Sequence, residues 1–212
     1  MQPLLVLFDV DGTLFLTDDP LVGQALRDTL TERFGVALPE NPLARVDHAG
    51  QTSLRIGRLV LQDAGVEDSE IDSGLEPWCA DLSCRYLELL EGADTSGWVA
   101  APGAAEALAG LESAGHRLAL LTGNPEPVAR ARAERLGLAR FFPAGQGAFG
   151  CESESRSELI ALARARAGDW PRETTVEVGD TEFDRSSARE AGVRSLLVGG
   201  RTSLADALAQ LG

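Results

Sequence analysis

An apolar run, Leu4-Leu5-Val6-Leu7, leads directly into Phe8-Asp9-Val10-Asp11-Gly12-Thr13-Leu14. A short unbroken apolar run of this kind reads as a strand buried on both faces, the sort found in a parallel sheet covered by helices. It ends in two carboxylates, two residues apart, and then breaks at a glycine. Buried carboxylates are costly to fold around unless a cation compensates them. The carboxyl end of a strand in an open α/β sheet is also where ligands bind. This one segment therefore constrains both the fold class and the position of a site.

Between Phe15 and Gly97 only helical spacing appears. Leu21, Ala25, Leu26, Leu30 and Phe34 recur at helical intervals and close at Gly35. Ser53 to Ala64 does the same and closes at Gly65, and Trp78 to Leu90 is a third such stretch. The segment reads as a helical insertion. After Trp98 the pattern alternates. A helix from Ala104 to Ala114 precedes a strand, Leu118–Leu121, that ends in Thr122-Gly123-Asn124. A helix from Pro127 to Leu136 follows, then a short strand at Phe141-Phe142 and a helix from Ser157 to Ala167. A strand from Thr174 to Val178 ends in Gly179-Asp180, before a helix at Ser186–Ala191 and a last strand at Ser195–Val198. Alternation of this kind predicts a parallel sheet wrapped on both faces. Its strand ends lie along one edge, where Asp9, Asp11, Thr122 and Asp180 can converge.

Composition narrows the functions open to such a fold. The formal charge of −14 disfavours nucleic acid and anionic membrane as main partners. No apolar stretch approaches the roughly 18 residues that span a bilayer. No basic region precedes the first apolar run, so a signal peptide is not expected. Cys79, Cys84 and Cys151 form an odd set without zinc-ligand spacing and read as buried thiols in a reducing cytoplasm. His48 and His116 read as surface residues. All 19 basic residues are arginine; there is no lysine.

Asp9-Val10-Asp11-Gly12-Thr13 resembles the first motif, DxDGT, of the haloacid dehalogenase superfamily, most members of which are Mg²⁺-dependent phosphatases. Leu121-Thr122-Gly123-Asn124 resembles the second motif. Val178-Gly179-Asp180-Thr181-Glu182-Phe183-Asp184 resembles the fourth, GDxxxD. The likeness covers the whole chain in order, and phosphoglycolate phosphatases are the nearest named group. It implies a Rossmann-like three-layer α/β core, residues 1–14 and 98–212, with an inserted α-helical cap, residues 15–97.

The resemblance also implies a division of labour. Asp9 is the nucleophile that takes the phosphoryl group, and Asp11 is the acid and base. Mg²⁺ is held by Asp9, the Asp11 main-chain carbonyl and Asp180, with Asp184 behind them or ligating through water. Thr122, Gly123 and Asn124 hold phosphoryl oxygens. Gln51 and Thr52 lie in a cap loop, Gly50 to Ser53, that faces substrate, and Arg55 is a candidate for a second anionic group. Family members usually carry lysine at the third motif; Arg156 takes its place here, with Arg164 as the alternative.

The expected partner is a small phosphorylated metabolite and the expected state a monomer or homodimer. Asp11 argues against dehalogenation, and the absence of lysine excludes phosphonate cleavage through a Schiff base. Sugar-phosphate mutases place a histidine shortly after the first motif, where this chain has Asp18-Asp19-Pro20-Leu21. A catalytically silent phosphate-binding relative is a further reading, and so is a receiver domain, which needs a lysine and has no helical insertion. Plainer roles also exist: Thr122 and Asp184 as helix caps, and Arg156 as the partner of Glu152 or Glu158 on a wet helix face.

Overall fold

The computed structural model describes residues 2–211. Strand β1, Leu5–Phe8, has all four residues buried, as an apolar run at the centre of a sheet requires. It lies between β2, Arg117–Thr122, and β4, Thr175–Gly179; β3, Ala148–Phe149, and β5, Arg194–Leu197, form the edges. The order is β3-β2-β1-β4-β5 and every pairing is parallel. Phe8 pairs with Leu120 on one side and Val178 on the other. Asp9, Thr122 and Asp180 thus leave neighbouring strands at the same edge.

Alternate residues of the central strands feed two apolar clusters. Val6, Phe8, Leu118 and Leu120 pack with Leu108 of α4, Ala104–Ser113, and with Leu204 and Leu208. Leu5, Leu7, Ala119 and Leu121 pack on the other face with Leu159, Ile160 and Ala163. Helix α5, Glu126–Arg135, joins β2 to the β3 region; α6, Arg156–Arg166, α7, Glu182–Ala191, and α8, Leu204–Leu208, complete the layers.

Phe141-Phe142 is not a strand. Ala139–Phe141 is a 3₁₀ turn, and the Phe142 ring packs on Phe8 with centroids 5.9 Å apart. The apolar pair fills the core rather than extending the sheet. Helix α7 begins four residues before the predicted Ser186, because Thr181 and Asp184 form a reciprocal capping box. His116 is also not a surface residue: it is buried, and its Nδ1 accepts a hydrogen bond from the Leu4 N–H at 3.1 Å.

The segment between Phe15 and Gly97 folds into α1, Pro20–Phe34, α2, Ser53–Asp63, and α3, Asp68–Glu91. Their inward residues form a third cluster around Leu30, Leu61, Trp78, Leu82 and Tyr86. Helix α3 starts ten residues before the predicted Trp78 and runs through Pro77. Its first part is acidic, but Ile71 and Leu75, four residues apart, are buried and anchor it. Among the described residues no helix is long and apolar enough to cross a membrane.

Glycine backbones dock this helical layer on the sheet edge. Ser53 donates to the Gly123 carbonyl from both its N–H, at 2.8 Å, and its hydroxyl, at 2.9 Å. Leu54 N–H donates to Gly150 O at 3.0 Å. A Cβ at Gly123 would overlap the Gln51 carbonyl oxygen, and one at Gly150 the Gly123 carbonyl. The cysteines correct the reading of buried thiols. Cys79 of α3 and Cys151, just past β3, form a disulfide across this contact, and Cys84 is free and exposed.

Closing a loop between residues 72 apart removes unfolded-state entropy; the chain-entropy model puts this at up to about 4 kcal/mol. Cys79→Ser/Cys151→Ser is therefore expected to lower the urea midpoint with the native circular dichroism spectrum retained. Reductant is expected to reproduce the shift in the parent protein and leave the double variant unmoved.

Candidate active site

Three features place the acidic residues. Buried β1 delivers Asp9, whose N–H donates to Val178 O at 2.9 Å and continues the ladder one residue past the strand. Gly12, at φ +74°, turns the chain sharply, and the Asp180 carboxylate rests where a Cβ on Gly12 would be. A side chain at Gly12 would expel that carboxylate. Asp9, Asp11, Thr122, Gly123, Asn124, Arg156 and Asp180 all line one cavity of about 1010 Å³ beneath the helical layer.

Arg156 is the buried cation beside Asp9. It opens α6 behind the Ser155 cap, and only 2% of it is exposed. Its Nη2 donates to Asp9 Oδ1 at 3.0 Å and to Leu121 O at 3.2 Å. The same Nη2 lies 2.6 Å from Asp184 Oδ1 as an ion pair. Nε faces Glu177 Oε1 at 3.4 Å, and Nη1 reaches the Gly50 carbonyl of the helical layer at 3.4 Å. Arg156 is thus no partner for Glu152 or Glu158. Glu152 pairs with Arg166, and the Glu158 carboxylate accepts from Ser153. Arg164, two turns along α6, is not among the residues lining the cavity.

Around Asp9 one guanidinium faces three carboxylates, which leaves a deficit of positive charge. Burial pushes the Asp9 carboxyl up to about 8; Asp184 and Asp11 push the same way, and Arg156 opposes them. Glu177 is pushed up to about 8 as well, again chiefly by burial. Asp180 is raised by burial and by Asp184. Among the described residues no three acidic, histidine or cysteine side chains surround a single point. Mg²⁺ does not need three: it takes one or two carboxylates and keeps several waters. The Asp9 and Asp180 carboxylates and the Asp11 carbonyl fit that hard, oxygen-only preference, and their charge deficit is what a divalent cation relieves.

Two of the expected residues also bond within the fold. Asp184 Oδ2 accepts from the Thr181 N–H at 2.8 Å and hydroxyl at 2.6 Å, and Oδ1 faces Arg156. Asp184 thus caps α7 and orients Arg156. Thr52 is fully buried, and its hydroxyl caps α2 by accepting from Arg55 N–H at 3.2 Å. Gln51, its neighbour, does line the cavity, as does His48. Arg55 lies 3.8 Å from Glu154 and is absent from the cavity lining.

Asp11 is held from two sides. Asn124 Nδ2 donates to Asp11 Oδ2 and, at 3.1 Å, to the Thr122 hydroxyl. Arg132 of α5 donates to both Asp11 oxygens, at 2.7 and 3.0 Å. The sequence reading missed Arg132 and also Glu177. For Glu177 a signal existed: a charged residue at the centre of an otherwise apolar strand needs a buried partner.

The family model described as haloacid dehalogenase-like hydrolase matches residues 4–192. A phosphoglycolate phosphatase of Mesorhizobium japonicum is 30% identical over 196 residues, covering 91% of this chain and 81% of that one. The tyrosine-protein kinase PtkA of Mycobacterium tuberculosis is 30% identical over 199 residues, covering 93% of this chain and 62% of the relative. The solved structure of CbbY from Rhodobacter sphaeroides in complex with phosphate has the same fold. Its TM-score is 0.61 at 21% identity, covering 97% of this chain and 96% of that one.

The raised carboxyls set a pH dependence. Between the unfolded carboxyl range near about 4 and the folded value of about 8, the folded state binds more protons than the unfolded chain. Stability of the metal-free protein therefore falls as pH rises through that interval. Urea unfolding in EDTA from pH 5 to pH 8 is expected to show this decline (roughly the interval just derived). Glu177→Gln is expected to flatten it. Mg²⁺ is expected to restore more stability at the alkaline end than at the acid end.

Proposed function

Because the chain belongs to the haloacid dehalogenase-like hydrolases, we propose that it is a Mg²⁺-dependent phosphatase that hydrolyses a small phosphate monoester through an aspartyl-phosphate. One observation carries the reading. Asp9 lies at the end of the central strand, bonded to a buried guanidinium, in a cavity that it shares with Asp11, Thr122 and Asp180. Residues 1–14 and 98–212 act as the core and 15–97 as the cap.

In the first half-reaction an Asp9 oxygen attacks phosphorus as the bond to the leaving oxygen breaks, and Asp11 gives that oxygen a proton. In the second, Asp11 takes a proton from the water that attacks the aspartyl-phosphate, releasing phosphate and restoring Asp9. Thr122 and the amides of Gly123 and Asn124 hold the phosphoryl oxygens. Arg156 keeps Asp9 oriented and offsets its charge. Asp9, Asp180 and the Asp11 carbonyl would hold Mg²⁺, which would supply the charge that lets a carboxylate approach an anionic phosphoryl group. The docked helical layer excludes water during transfer.

The identity to a phosphoglycolate phosphatase supports a small phosphorylated metabolite as substrate. Such metabolites also support a cytoplasmic location, where the Cys79–Cys151 bond would answer to the local redox poise. A sugar-phosphate mutase has weaker support, since Phe15 to Pro20 contains no histidine.

A screen of phosphorylated metabolites with Mg²⁺, read as phosphate release, tests the activity; phosphate affinity without turnover on any of them would instead mark a silent binding relative. Asp9→Asn is expected to abolish release with the fold intact, and retained activity would remove Asp9 as nucleophile. Arg156→Ala leaves three buried carboxylates uncompensated, so Arg156→Lys is the better probe. Lysine cannot serve Asp9, Glu177 and Gly50 together. It is expected to raise KM and lower kcat, for a combined loss in kcat/KM of about tenfold or more.

A further inference from the structure

Arg132 is only 1% exposed, lines the active-site cavity and joins groups from three parts of the chain. Its Nη1 holds the Asp11 carboxylate through both oxygens. The opposite edge of the guanidinium, Nη2 and Nε, donates to Asp19 Oδ2 at 2.8 and 3.2 Å. Tyr86 O–H donates to the same Asp19 oxygen at 2.7 Å. Asp19 is itself fixed, since its Oδ1 caps α1 by accepting from the Leu21 N–H at 3.1 Å. The guanidinium plane is clamped by the Phe15 and Tyr86 rings, 5.2 and 5.5 Å from their centroids.

We propose that Arg132 is a positioning residue for the proton-transfer step, holding Asp11 in place against a fixed Asp19–Tyr86 anchor in the helical layer. The inference rests on the phosphatase reading above. Asp11 needs such a partner. Its side chain is 51% exposed, on a turn past the strand end, where a free carboxylate samples several rotamers. A proton donor is effective only within hydrogen-bond reach of the oxygen it serves. Nη1 bridges both carboxylate oxygens, while Nη2 and Nε hold the rest of the planar guanidinium on Asp19 and so fix where Nη1 points. The anchor makes the restraint depend on the docked helical layer, because Asp19 and Tyr86 belong to α1 and α3 and their caps. A purely structural ion pair would need Asp19 and Arg132 but no contact with Asp11.

Leaving-group dependence separates the two roles. An alkoxide needs protonation as it departs, whereas p-nitrophenolate barely does. The test compares kcat/KM for p-nitrophenyl phosphate with that for the best alkyl monophosphate from the screen. Arg132→Lys and Arg132→Met are expected to lose about a hundredfold on the alkyl ester and under about tenfold on the aryl ester, with KM little changed. Tyr86→Phe keeps the ring and the cation, loosens Asp19, and decides the matter if the Arg132 variants do not fold. It is expected to lose severalfold on the alkyl ester alone. Equal losses on both esters, a change confined to KM, or unchanged rates would overturn the inference. No turnover of either ester by the parent protein would remove the phosphatase reading and this inference with it.

Discussion

Everything in the site is arranged around one guanidinium in a nest of carboxylates. Arg156 is enclosed by Asp9, Glu177 and Asp184, and it also reaches two backbone carbonyls. A lysine, with a single charged nitrogen, has no second edge for Glu177. The presence of Glu177 on β4 is thus the local counterpart of having arginine at this position. Burial is the main reason that Asp9 and Glu177 resist ionisation, and the neighbouring Asp184 carboxylate adds to it while Arg156 opposes it. A divalent cation beside the nest would relieve the shortage of positive charge there.

The parts of this arrangement readable from sequence were those in which a buried strand meets a charged residue. Asp9, Asp11 and Asp180 each follow an apolar run, and burial makes such residues conspicuous. Arg156 was readable through the resemblance alone: the third motif calls for a basic residue just before the helix that leads to the fourth, and a chain without lysine leaves arginine for it. Arg132 was not readable. Its partners lie 121 and 113 residues away, and its own helix has the composition of a solvated one. The pairing of Cys79 with Cys151 was hidden by the same sort of distance. The two-residue β3 was missed because a strand so short has no periodicity, while the apolar Phe141-Phe142 nearby drew the assignment. Asp184 shows a further limit. A residue at a helix start and inside an acidic motif satisfies both patterns, and only its neighbours show which bonds it makes.

The helical layer and the sheet meet through contacts of unlike kinds. Backbone hydrogen bonds from Ser53 and Leu54 reach Gly123 and Gly150, where any side chain would force the layers apart. Arg58 pairs with Glu154, just ahead of α6. Arg132 ties Asp19 to the turn after β1 through Asp11. Gly123, which lines the cavity, is therefore also a docking surface, so the seating of the helical layer and the shape of the cavity share the same atoms.

The sulfur bridge has a mechanical meaning of its own. The chain passes between the two layers where Leu16 N–H bonds to Val99 O; the bridge fastens them again elsewhere. Two fixed points leave a rigid body one freedom, a rotation about the line joining them. While the sulfurs are bonded, any rigid displacement of the helices must be a part of that rotation. Severing the bond would give back the remaining degrees of freedom.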